Sequence, residues 1–156
     1  MNVFLPGEPT TMSFTIRVYG LLQHKGSVLV SDERIKGRHI TKFPGGGLEF
    51  GEGLKDCLVR EIREEIGVQA LEPEHFYTTD FFQQSTFHER PLQVVSVYYT
   101  FRVADPALIP VVQTPFTGVV GDGDQEVFRW LPIAGTPAEA LSLPIDRVVW
   151  GMLLTP

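Results

Sequence analysis

The chain has 156 residues, 43% of them hydrophobic and 21% charged, which is globular material for one domain, expected over 1–156, and excludes a disordered polypeptide. Its 13 Lys and Arg against 19 Asp and Glu leave a formal net charge of −6, and no two basic residues are adjacent. A protein that binds nucleic acid by neutralising phosphates is therefore not expected, and if so acidic a chain handles phosphate groups, a cation should stand between them.

No apolar run approaches the roughly 20 residues of a membrane-spanning helix, so no membrane partner is expected. The opening residues Met1 to Gly7 lack the basic flank and apolar core of a secretory signal, so the expected location is cytoplasmic. The single cysteine, Cys57, excludes an internal disulfide framework and a zinc site built mainly from thiolates; it reads as a small packing residue.

In chain order, Phe14 to Leu22 and Gly26 to Val30 read as a β hairpin around Gln23-His24-Lys25. His39 to Phe43 reads as a short strand ended by Pro44, and Gly45, Gly46 and Gly47 as flexible backbone leading to a helix. From about Glu52 to Ile66, Leu54, Leu58, Ile62 and Ile66 recur every four residues and Gly67 follows as a stop, so this is the most secure helix. His75 to Phe82, Leu92 to Val103 and Glu126 to Leu131, rich in Val, Tyr, Phe and Thr, read as strands. Between them, Pro106, Pro110, Pro115 and Gly118 to Gly123 mark one long loop. Pro137 to Leu141 and Ile145 to Leu154 suggest short closing helices, giving an α/β sandwich with a single domain.

The central helix carries the chemistry. At about 100° per residue from Leu54, the residues Leu58, Ile62, Ile66 and Val59 span an apolar arc of about 140°, with Glu65 inside it and Glu61 and Glu64 on its edge. Glu61 neighbours both Glu64 and Glu65 at three- and four-residue spacing, a repulsion of roughly 0.2 to 0.5 kcal/mol per pair. Glu64 and Glu65 also occupy the last turn, where the helix dipole favours cations. A solvated acidic face paired with arginines would explain ordinary glutamates, but local stability gives no reason for this placement. Clustered carboxylates are what a hard divalent cation prefers, and the glycines before the helix offer carbonyls to a metal and amides to phosphate oxygens.

From Gly46 to Val68 the residues GGLEFGEGLKDCLVREIREEIGV resemble the Nudix box of the Nudix hydrolase superfamily, matching it at Gly46, Glu52, Arg60, Glu61, Ile62, Glu64, Glu65, Gly67 and Val68. The resemblance implies an α/β/α sandwich with a mixed β-sheet and hydrolysis of a nucleoside diphosphate linked to another moiety, with Mg²⁺ or Mn²⁺ required. It implies that Glu61, Glu64 and Glu65 hold the metal, that the Gly46 carbonyl completes its shell, that Arg60 orients the glutamates and that Glu52 is auxiliary. Water would attack phosphorus, with Glu61 or Glu64, or a distal acid, as general base. Asp124 and Glu126, just before the strand containing Trp130, are the distal candidates, against the plainer reading of a Gly/Asp turn.

Gly45, Gly46, Gly47, His39 and Lys42 are candidate substrate contacts because they form or precede the glycine segment. Phe81, Phe82, Tyr98, Tyr99 and Phe101 offer faces for a base, though core packing is the stronger expectation for most of them. Nucleoside triphosphates, nucleotide sugars and ADP-ribose all remain open as the small-molecule, nucleotide-type substrate. The competing class is a binding or regulatory module on the same fold without turnover, and relatives that pair suggest a homodimer through Met1 to Met12 or Ala104 to Gly121.

Overall fold

The computed structural model describes residues 12–122 and 125–154. Asp124 and nearly all of the Met1 to Met12 segment lie outside the described residues. The strands are β1 (Ser13–Leu21), β2 (Gln23–His24), β3 (Ser27–Ile35), β4 (Arg38–Lys42), β5 (Gly45–Gly47), β6 (Leu71–Thr78), β7 (Leu92–Arg102) and β8 (Val127–Pro132). Helix α1 (Leu54–Ile66) follows β5, and α2 (Pro144–Leu154) closes the chain.

The strands form two four-stranded sheets, one ordered β5-β1-β7-β6 and the other built on β3, which pairs with β2, β4 and β8. The first sheet is mixed, because β1 runs parallel to β7 and antiparallel to β5. The expected hairpin between Phe14–Leu22 and Gly26–Val30 does not form. Those segments belong to different sheets, and the chain crosses at Leu22, whose carbonyl accepts from the Leu29 amide at 3.0 Å. The real turns are Lys25-Gly26 and Lys36-Gly37, each with two successive left-handed residues, the backbone that matches the twist of a two-residue hairpin. The three glycines also differ from the expected loop: Gly45–Gly47 pair with Tyr19–Arg17 as strand β5.

Side-chain alternation on the strands explains why both faces are covered. Val18, Leu22, Leu29, Val97, Tyr99 and Phe101 pack with Cys57, Leu58 and Ile62 of α1. Their neighbours Tyr19, Leu21, Val28, Val30 and Tyr98 pack with Ile145, Val149 and Trp150 of α2 on the opposite face. The result is the expected α/β/α sandwich. Each such fully buried aliphatic or aromatic side chain contributes roughly 1.5 to 3 kcal/mol of transfer free energy. Gly20 lets α1 approach β1, since a Cβ there would lie 2.5 Å from the Phe101 ring and 2.9 Å from Leu58.

Helix α1 starts where the Asp56 side chain accepts the Gly53 amide at 3.1 Å. It ends at Gly67, whose φ of 78° is left-handed and whose amide donates to the Arg63 carbonyl. The long segment after β7 is anchored to the second sheet. Buried Asp32 accepts from Arg129 at 2.7 Å, from Thr41 Oγ1 at 2.6 Å and from the Phe116 amide at 3.2 Å. Asp122 accepts from the Gly37 amide at 3.0 Å and pairs with Arg34 at 3.2 Å. This anchoring delivers the chain to Glu126 and β8.

Candidate active site

Arg60 is the hub of the acidic end. Its Nε and Nη2 donate to the two oxygens of Glu52 at 2.9 and 2.7 Å, and its Nη1 reaches Glu61 at 2.8 Å and Glu64 at 3.3 Å. Nη2 also donates to the Gly47 carbonyl at 3.0 Å, which ties the helix to β5. Two parallel hydrogen bonds to one carboxylate are the strong arrangement for a guanidinium, and they hold the Glu52 carboxyl down to about 2. Glu52 itself accepts the Glu49 amide at 2.9 Å and so fixes the loop that enters the helix.

The glycines matter through what a side chain would strike. A Cβ on Gly46 would lie 2.4 Å from the Glu61 carboxylate, and one on Gly45 would lie 2.0 Å from the Val18 carbonyl. Gly45 adopts φ 151°, and its amide donates to Glu65 Oε2 at 3.2 Å. That amide is therefore engaged with the helix. Backbone and carboxylates meet here without intervening carbon, as a cradle for a small ion requires.

A second charged group faces Glu65 from the other sheet. Lys42, buried on β4, sits 3.3 Å from Glu33 and 3.7 Å from Glu126. Burial opposes its charge, but Glu65, Glu126 and Glu33 together raise its pKa above the usual lysine value. Burial pushes Glu65 up to about 8 despite Lys42, with the charges of Glu126 and Glu61 adding to the rise. Glu126 is raised by burial too, and its buried Oε1 has no hydrogen-bond partner. Glu65 and Glu126 share the wall of a groove with Val111 and Phe128.

Beyond Lys42 a cavity of about 420 Å³ opens between the sheets. Arg17, Tyr19, Ile40, Lys42, Tyr98 and Asp146 line it, and Gln83 to His88 cross it as a roof. Asp146, at the start of α2, is fully buried; it accepts the Tyr98 hydroxyl and, at 3.3 Å, the Phe43 amide. Burial pushes its carboxyl up to about 6 against those two hydrogen bonds. Arg17 and Lys42 connect the two regions, since both line the cavity and both feel the charge of Glu65.

Glu52, Arg60, Glu61, Glu64, Glu65, Gly45, Gly46, Gly47, Lys42 and Glu126 thus gather along the seam between α1 and the sheets. His39 does not join them. It stacks on Phe116 at 4.5 Å, exposed on the face of β4 opposite to Ile40 and Lys42, because alternate residues of a strand point apart. Of the candidate aromatics, Tyr98 lines the cavity, Tyr99 and Phe101 are core, and Phe82 is 68% exposed. Cys57 is fully buried beside Gly47 and Glu52, and burial pushes its thiol up to about 12, so it is not poised as a nucleophile. Arg17, Tyr19 and Asp146 were missed by sequence reasoning. Arg17 stands as a lone charge in an apolar strand, and that is the one available signal; Asp146 adjoins Arg147 and gives none.

The donor set is carboxylate and carbonyl oxygen, with a cradle at Gly46 and a buried Glu126 oxygen that has no hydrogen bond, and it fits a hard divalent cation. Among the described residues, no three acidic, histidine or cysteine side chains already converge on one point; Glu61 and Glu64 turn to Arg60 and Glu65 to the Gly45 amide.

The NUDIX domain family matches residues 13–148. A stretch of 83 residues is 28% identical to the 8-oxo-dGTP diphosphatase of Haemophilus influenzae and covers 51% of this chain and 56% of that protein. Over 39 residues, 25% of this chain, the identity to the RNA pyrophosphohydrolase of Shewanella frigidimarina is 46%, covering 21% of that protein. The chain therefore spans about half or less of the length of these curated relatives. A NUDIX hydrolase from Nitrosomonas europaea superposes with a TM-score of 0.64 at 17% identity, over 89% of this chain and 88% of that one, a likeness of fold. A match that runs from β1 into α2 takes in both sheets and the whole acidic seam, and the chain belongs to the NUDIX family.

Proposed function

We infer that the protein is a phosphohydrolase: it cleaves a phosphoanhydride bond in a nucleoside diphosphate linked to another moiety, with water attacking phosphorus and a divalent cation required. The observation that carries this reading is the continuity between the acidic seam and the cavity, with Lys42 belonging to both: it lines the cavity and lies 3.7 Å from Glu126. The names of the two relatives, a diphosphatase and a pyrophosphohydrolase, support the same reaction class. Glu61, Glu64, Glu65 and the Gly46 carbonyl would hold Mg²⁺ or Mn²⁺, which supplies charge neutralisation of the diphosphate and acidifies a bound water.

The chain's own residues do the rest. Arg60 gathers Glu61 and Glu64 through hydrogen bonds of 2.8 and 3.3 Å, and from there the two carboxylates would turn to the cation. Glu126, with an oxygen free of hydrogen bonds, is the preferred acceptor for the proton of the attacking water, with Glu61 and Glu64 as the box alternatives. The cavity, walled by Tyr19 and Tyr98 and floored by Asp146, takes the nucleoside. The substrate is a small nucleotide, and neither nucleic acid nor membrane is part of the reading; among the described residues no helix is long and apolar enough to cross a membrane.

The test is phosphate release in Mg²⁺ and then Mn²⁺ from nucleoside triphosphates, ADP-ribose, nucleotide sugars, dinucleoside polyphosphates and a 5′-triphosphate RNA, with phosphatase added where the product is a monoester. Metal-dependent turnover of a small nucleotide, reduced about 10²- to 10⁴-fold in Glu64→Gln, is the expected result. Turnover of the RNA alone would change the substrate class. Silence across the panel with cation binding intact would favour a binding module.

A further inference from the structure

Arg17 is the cation that the site has left unused. Its Nε donates to the Tyr19 hydroxyl at 2.7 Å, and the guanidinium carbon sits 5.7 Å from the centre of that ring, so the head is oriented by its own strand. Its two terminal nitrogens have no hydrogen-bond or ion-pair partner among the described residues. Arg17 is half-buried, and neither terminal nitrogen is among the described side-chain atoms sealed from solvent without a partner, so both face open space. The other cations on the cavity wall are engaged: Lys42 by Glu33 and Glu126, and Lys36 by the Phe87 carbonyl.

Position adds to this. Arg17 is the register partner of Gly47, so no side chain from β5 crosses over its head. It points to the cavity face of the sheet, one residue before Val18, which faces α1 and pairs with Gly46. Arg17 thus forms part of the cavity wall and feels the charge of Glu61 and Glu65 on the acidic seam. Tyr19 raises the Arg17 pKa most, burial lowers it, and the charges of Glu61 and Glu65 add to the rise, so the head stays charged.

We propose that Arg17 is a substrate-binding residue whose two terminal nitrogens grip the phosphate next to the nucleoside, the planar fork matching two phosphate oxygens while the acidic seam handles the other end of the diphosphate. This assignment rests on the phosphohydrolase reading. Arg17 selects for a nucleotide with a doubly substituted phosphate at that point over a bare nucleoside.

The test is calorimetric binding of inorganic pyrophosphate, the core shared by every candidate substrate, in Mg²⁺. Wild type is expected to bind, Arg17→Gln to bind at least tenfold more weakly, and Arg17→Lys to lie between them because it keeps charge but loses the fork. Thermal midpoints and Mn²⁺ affinity should stay near wild type, and in turnover KM should rise more than kcat falls. Equal pyrophosphate affinity in wild type and Arg17→Gln would overturn the proposal and leave the hydrolase reading standing. A lowered midpoint with unchanged pyrophosphate affinity would assign Arg17 to stability alone and would equally overturn it. If Arg17→Gln does not fold, the Arg17→Lys comparison decides by the same criterion. No binding by wild type, together with no turnover of any nucleotide, would overturn both assignments.

Discussion

At one end of the site Arg60 gathers Glu52, Glu61 and Glu64 from its own helix and the loop just before it, no more than eight residues away. At the other end Asp146 is held by Tyr98, 48 residues distant, and by the Phe43 amide, 103 residues distant. The acidic end reaches water at Glu64, which is 59% exposed, while Glu52 and Glu61 are each 15% exposed and Asp146 is fully buried. The two ends differ in what charge costs. Where carboxylates reach solvent, as Glu64 does, they can crowd for fractions of a kcal/mol each. In the interior a single carboxylate must be hydrogen-bonded by elements brought from across the chain, and its pKa records the desolvation.

The largest expected effect comes from the buried end. Asp146 has a native pKa of about 6 against an unfolded value of 3.8, so the folded state binds the proton more tightly. Its stabilising contribution is full below the unfolded value and is lost as pH rises through the native one, about 3 kcal/mol in all at 1.36 kcal/mol per unit. Asp146→Asn has no such proton, so denaturation of wild type and variant in parallel from pH 3 to 8 should show the wild type losing ground only across that window. Parallel curves would mean that the two ends are alike in their solvation.

Gly46→Ala probes the acidic end at its tightest point. The added methyl would meet the Glu61 carboxylate at 2.4 Å, and the glutamate must move because the Gly46 backbone is held in β5. Activity and Mn²⁺ affinity should each fall about 10- to 100-fold, as for other disturbances beside a metal ligand, with little loss of fold. Unchanged Mn²⁺ binding would remove Glu61 from the ion's shell.

The smallest effect belongs to neither end. Arg34 and Asp122 pair at 3.2 Å with side chains 39% and 52% exposed, and Arg34→Gln should cost at most about 1 kcal/mol in urea denaturation without changing activity. A larger loss, or a drop in turnover, would show that the long segment leading to Glu126 depends on this clasp and would extend the sensitive region beyond the two ends.

Helix α1 is legible to within two residues because a four-residue apolar repeat and a closing glycine are both local signals. Cys57 is fully buried, as its reading as a small packing residue expects, although at about 300° from Leu54 it lies outside the apolar arc; it packs in the core with Leu58 and Ile62. Strand β5 looks like a loop in the sequence because three glycines carry no side-chain alternation, and only the ladder with β1 makes them a strand. For the same reason β1 and β3 were each recognisable while their pairing was not. Their partners β7 and β8 lie far along the chain, and alternation says which face is apolar without saying which strand lies alongside.

The sequence by itself determined the family, the acidic helix with its arginine and the approximate strands, because each depends on residues a few positions apart; that Gly45 and Gly46 must lack side chains depends on Val18 and Glu61 across the fold. Tertiary structure alone decided that Glu126 and Lys42 meet Glu65, that His39 turns away, and that Arg17, Tyr19, Tyr98 and Asp146 share one cavity. Those meetings depend on which strands pair and on where a charge is desolvated. Neither quantity exists until the two sheets have closed on each other.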